Sequence, residues 1–183
     1  PDPHRQIPDP ALFEGRATVD LGIFDDGIAA LSQADREAMC LAQNERLSGK
    51  PDVVSATSGT NDGRTDSASV SSNGFQGSHR STWMWLGSSL TMRDGEKLNE
   101  AGMWGGGPNR PQAPTAAAVA DETLARALAR VGSRKGPTVK GRMVVHPSAA
   151  RSIVSRLLRP ATGRAVQQGT SMWADRLGKP AVS

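Results

Sequence analysis

The pair Asn73-Gly74 constrains this chain more than any other feature. Asn-Gly supplies the backbone conformation that a tight chain reversal needs. Here it follows Ser67 to Ser72, which alternates small polar and apolar residues, and it precedes a longer alternating stretch from Ser81 to Met92. The middle of the chain is therefore expected to be an antiparallel hairpin. Along its second strand Trp83, Trp85, Gly87 and Ser89 share one face, and Met84, Leu86, Ser88 and Leu90 share the other. Both faces begin apolar, so the sheet is expected to be covered on both sides there. Trp83 and Trp85 are expected to pack in a core, in preference to stacking on single-stranded bases. Val53-Val54 opens an earlier short strand, Asp94-Gly95 marks another turn, and Leu98 to Trp104 reads as one more strand.

Helical periodicity appears on either side of this block. Ser32 followed by Asp35 resembles a capping box, with Asp in place of Glu. Leu31, Ala34, Ala38, Leu41 and Ala42 then form an apolar stripe, and Ser48-Gly49-Lys50-Pro51 ends the helix. A second helix is predicted over Thr115 to Val131. Thr115 caps it, Val119, Leu124, Leu128 and Val131 form the buried stripe, and Arg126 and Arg130 sit at the end that favours cations. Val139 to Val145 reads as a strand. His146-Pro147-Ser148 then turns the chain into a third helix, roughly Ala149 to Leu158, which Pro160 breaks. Strands followed by a helix, then strand, turn and helix, indicate an α+β fold: a twisted, largely antiparallel sheet with packed helices, then the start of a second β-rich domain. Residues 1–136 are expected to belong to an N-terminal α+β domain, with 1–27 an extended lead-in and 105–114 a flexible loop. Residues 137–183 are expected to begin a C-terminal domain that is cut short. The opening PDPHRQIPDP has neither an initiator Met nor the pattern of a signal peptide, and GKPAVS ends abruptly. Both are expected to be internal to a longer chain.

The residues show little chemistry. His4, His79 and His146 lie far apart, and none has a partner at metal-ligand spacing. His146 reads as a turn residue, His79 as a surface residue and Cys40 as a small core thiol. No serine sits in a G-x-S-x-G elbow. Gly105-Gly106-Gly107 lacks the GK[ST] ending of a phosphate loop. A single cysteine excludes an intrachain disulfide and fits a reducing compartment. No apolar run reaches the ~18–20 residues of a membrane span. Charge is uneven: from Thr123 onward twelve Lys and Arg face one acid, Asp175. Such a half suits phosphates or an acidic partner, or is a solvated face.

Five segments follow one another in order: the lead-in PDPHRQIPDPALFEGR, the run DLGIFDDGIAALSQADREAMCLAQNE, the hairpin Ser72 to Ser81, the strand-into-helix GRMVVHPSAARSIVSRLL, and GTSMWADRLGKPAVS. Together they resemble the TldD/PmbA family, on its PmbA (TldE) side. In the TldD branch the corresponding helix carries HExxxH, with two His on zinc and a Glu as general base. Here Arg151, Ser152 and Arg156 stand at those positions, and an arginine offers no lone pair to a metal. The resemblance implies no catalytic, cofactor-binding or metal residue in this chain. It implies a non-catalytic subunit that pairs with a TldD-like, zinc-bearing catalytic subunit in a cytoplasmic heterodimer cleaving unfolded peptides. An extended peptide substrate would add to a sheet edge. Membrane and nucleic acid are not expected as partners. The rival readings are a stand-alone peptide-binding module that has lost proteolysis, and a nucleic-acid-binding module using the basic half.

Overall fold

A computed structural model describes residues 7–15, 19–176 and 178–180. His4 and the first part of the lead-in fall outside them. The chain divides into two compact units, Pro1–Arg134 and Lys135–Ser183.

The first unit is α+β and is built on one long hairpin. β1 (Val53–Val70) pairs antiparallel with β2 (Gln76–Asp94), which pairs antiparallel with β3 (Lys97–Gly107), in the order β1-β2-β3. The Asn-Gly signal acts as expected. Gly74 takes φ 88°, its N–H bonds Ser71 O, and Asn73 Oδ1 accepts from Phe75 N at 3.2 Å. Gly95, at φ 62°, turns β2 into β3 between the paired residues Asp94 and Lys97. The strands run longer than the sequence suggests. β1 is continuous, and Gly105, Gly106 and Gly107 pair with Leu86, Trp85 and Met84 instead of opening a flexible loop. A glycine weakens a strand for want of a side chain to pack. Here Pro114 packs on Gly105, the Trp85 ring on Gly106 and Gln112 on Gly107.

One face of the sheet carries the helices. α1 (Asp26–Ala29) is a single turn that the sequence reading missed. It is capped by Asp25, whose carboxylate accepts from Gly27 N and Ile28 N. α2 (Gln33–Leu47) begins with the expected box: Asp35 N bonds Ser32 Oγ, and Ser32 N bonds Asp35 Oδ2 at 2.9 Å. α3 (Ala116–Leu128) is capped by Thr115, which accepts from Ala118 N. Leu47, Leu90, Met92, Ala101, Ala120 and Ala127 form one buried cluster, and Ile28, Met84, Leu86 and Val119 form another.

Two helix faces differ from expectation. On α2 the residues turned inward are Gln43 and Leu47, with Met39 half-buried, while Ala34, Ala38, Leu41 and Ala42 are exposed. The reason lies on β1, which offers this helix a polar surface. Arg36 makes a two-pronged ion pair with Asp62 (2.6 and 2.7 Å), and Ser58 Oγ donates to Asn44 Oδ1 at 2.8 Å. The hydrogen bonds to Asp62 raise the Arg36 pKa above its ordinary value. On α3 Val119 is buried as expected, but Ala120, Thr123 and Ala127 are buried with it, and Leu128 is exposed. Small residues allow the helix to lie close to the sheet. Thr123 Oγ1 and Ser88 Oγ meet at 2.8 Å in that contact.

The second unit contains α4 (Pro147–Leu158), a 3₁₀ turn (Arg159–Ala161) and α5 (Gly163–Gln167). His146 caps α4, its Nδ1 accepting from Ser148 N at 3.3 Å. Residues 139–145, expected as a strand, have no ladder partner among the described residues and are coil, exposed except for the half-buried Val145. An extended segment without a partner gains no inter-strand hydrogen bonds.

Candidate functional site: a tryptophan and glycine sheet face

Alternation on the hairpin sends Met84, Leu86, Ser88, Leu90 and Met92 under the helices and leaves the opposite face of the sheet open. All five covered residues are buried. On the open face Trp83, Trp85 and Trp104 retain 41%, 43% and 57% of their surface. The sequence reading placed Trp83 and Trp85 in a core covered on both sides. Instead, α1, α2 and α3 all pack on the side of Met84, Leu86 and Leu90, and the two rings lie on the other.

Register explains how three large rings lie on an open sheet. Trp83 is opposite Gly63 on β1, Trp85 opposite Gly106 on β3, and Trp104 opposite Gly87 on β2. Each indole lies over the glycine of the neighbouring strand. A methyl group built on Gly63 would stand 2.7 Å from the Trp83 ring, and one built on Gly106 would stand 2.6 Å from the Trp85 ring. A methyl on Gly87 would run into Trp104, whose far edge reaches over Gly59, where a methyl would stand 3.3 Å from it. The rings are thus flattened on glycine backbone, which shields the ladder and presents their other sides outward. Flat aromatic surface offers large contact area with few torsions to freeze, which is why tryptophan concentrates in contact surfaces.

Around the site the frame is held by specific bonds. Segment 22–25 is bonded to β2 at Thr82, just beyond the last β3 pair, Met84 and Gly107. Thr82 N bonds Ile23 O at 2.8 Å, Asp25 N bonds Thr82 Oγ1 at 2.9 Å, and Thr82 Oγ1 donates to Pro108 O at 2.7 Å. Beyond it the Arg80 guanidinium stacks on the Phe24 ring at 3.9 Å. Asp66 links Arg64 and Arg80, and the hydrogen bonds from Arg64 hold its carboxyl below the ordinary range. Asp25 is lowered too. The backbone N–H of Arg110 is the largest cause, the N–H groups of Ile28 and Gly27 and the Arg110 charge add to it, and partial burial opposes it. A separate open cavity of about 440 Å³ lies between α2 and the start of α3, walled by Leu31, Met39, Met84 and Leu86 with Asp35 and Arg110 at its rim.

The residues singled out in the sequence do not gather here. Arg151, Ser152 and Arg156 are exposed on α4, where Ser152 Oγ donates to Ala149 O at 2.8 Å. His79 is exposed on β2, and His146 is a helix cap. Cys40 is a half-buried free thiol. Among the described residues no group of three or more His, Cys, Asp or Glu could hold a metal ion. Among them, too, no helix is long and apolar enough to cross a membrane.

No family model matches the chain, and no curated protein does. Among solved structures, it is similar to a proposed modulator of DNA gyrase from Bacteroides thetaiotaomicron, with a TM-score of 0.85 and 28% identity. That match covers 96% of this chain and 40% of the other, so the chain spans well under half of its neighbour. A proposed modulator of a DNA gyrase from Thermotoga maritima shares the fold, with a TM-score of 0.61, 13% identity, and 67% of this chain and 28% of the other covered. These neighbours correct the functional expectation. Both are named for gyrase modulation and neither as a peptidase subunit, so the reading as a TldD/PmbA-family, TldE-like subunit of a metallopeptidase heterodimer is withdrawn, with its proteolytic role.

Proposed function

We propose that this chain is the α+β contact portion of a gyrase-modulator type of protein, and that the face formed by Trp83, Trp85 and Trp104 is the surface it lays on the gyrase polypeptide. The observation that carries this reading is the likeness over 96% of the chain to the Bacteroides neighbour, at a TM-score of 0.85. The open aromatic face supports it with a surface of the right character. The flat rings supply apolar area, and the glycines beneath them let each ring lie flat on the sheet. A reducing, cytoplasmic setting suits the single free Cys40.

The test is supercoiling of relaxed plasmid by purified gyrase, titrated with the 183-residue chain. A dose-dependent change in supercoiling is expected, together with its loss in the W83A/W85A/W104A variant. No change at any dose, or an undiminished change with a folded triple variant, would overturn the reading.

A further inference from the structure

The second unit carries a feature the open sheet does not explain. α4 is capped and well formed, yet none of the residues described in Lys135–Ser183 is buried. At 100° per residue, Ala149, Ala150, Ile153, Val154, Leu157 and Leu158 fall on one half of the α4 circumference. The four large ones remain 39%, 50%, 41% and 61% exposed. Arg151 and Arg156 lie at the two borders of that half, with Arg159 on the polar side. Among the described residues none of the three arginine side chains has a hydrogen-bond or ion-pair partner. The unit holds nine Lys and Arg against Asp175 alone.

We infer that α4 is a docking helix for a polypeptide surface with an apolar centre and a carboxylate rim. Charge complementarity selects the rim, because two arginines bordering an apolar strip can each meet a carboxylate while the strip is covered. The apolar half disfavours nucleic acid, since an α4 laid on phosphates would leave Ile153, Val154 and Leu157 against charge. A lipid surface is disfavoured too. α4 has no aromatic residue to sit among headgroups, and four aliphatic side chains give little insertion area. The helix is already fixed at both ends, which lowers the ordering cost of binding. His146 caps its start, and the Trp173 indole N–H donates to Leu157 O at 2.9 Å near its end. This inference stands apart from the gyrase reading, since it uses no residue of the sheet face.

The experiment uses the whole chain and three probes. One is a labelled helix-forming peptide with leucines at three- and four-residue spacing bordered by glutamates. The second is its lysine-bordered twin, and the third is phosphatidylglycerol vesicles. Saturable binding of the glutamate peptide is expected, weakening steeply with salt, with the lysine twin at least about tenfold weaker. Leu157→Asp should lower glutamate-peptide affinity about tenfold or more. The R151E/R156E variant should reverse the preference and take the lysine twin, a gain that misfolding cannot produce. The inference is overturned by equal binding of the two peptides, by an unaffected Leu157→Asp variant, or by vesicle binding that the glutamate peptide does not displace.

Discussion

β2 places neighbouring residues in two different worlds. Leu86 and Leu90 are buried beneath helices, whereas Trp83 and Trp85 lie in the open on glycines of the next strands. On the covered face small residues such as Ala120 and Ala127 bring a helix close, and stability comes from apolar area removed from water. On the open face the glycines are in the sheet and the large residues lie across them. That arrangement shields backbone yet leaves half of each ring exposed. The same alternation therefore divides the hairpin into a face that holds the fold and a face free for contact. Large side chains alone do not distinguish the two.

Substitutions on each face can break or sharpen that division. Leu90→Ala should have the largest effect on stability, about 2–5 kcal/mol by urea unfolding, because the side chain is fully buried in the larger cluster. Gly106→Val should follow at about 1–3 kcal/mol, since a Cβ there would meet the Met84 carbonyl as well as the Trp85 ring. It should also shift tryptophan emission, which a substitution on the covered face should not. Thr123→Val leaves the Ser88 hydroxyl buried without this partner and should cost about 1–2 kcal/mol, with partial recovery in the S88A/T123V double variant. Trp104→Ala removes a 57% exposed ring and should cost only about 1 kcal/mol or less while weakening contact with the partner. The smallest effect concerns pH. The Asp25 pKa is lowered in the fold, so its stabilisation is present above the unfolded value of about 4 and is lost as pH falls through the folded one. Asp25→Asn should flatten that part of the acid unfolding curve.

Much of the frame was legible in the sequence. The Asn73-Gly74 turn, the Ser32 and Asp35 capping box and the Thr115 cap are local, and each formed as its residues dictate. What was illegible depends on partners distant in the chain. That Trp104 would lie on Gly87, or Trp83 on Gly63, follows from register across two hairpins, which alternation along one strand does not fix. The triple glycine looked like loop because the rings and chain that make it a strand lie elsewhere. The apolar stripe of α2 faces solvent because Ser58 and Asp62 on β1 offer polar partners that the helix's own pattern does not reveal. The candidate site could have been suspected from one signal, Trp-x-Trp on a strand in a chain with glycines at Gly59, Gly63, Gly87 and Gly106.

The most direct test of the open face measures folding and function on the same variant. W83A/W85A/W104A should unfold in urea cooperatively, with its helix-covered core intact, and should no longer alter supercoiling by purified gyrase. A variant that stays folded and alters supercoiling as the parent does would contradict the assignment of that face to contact.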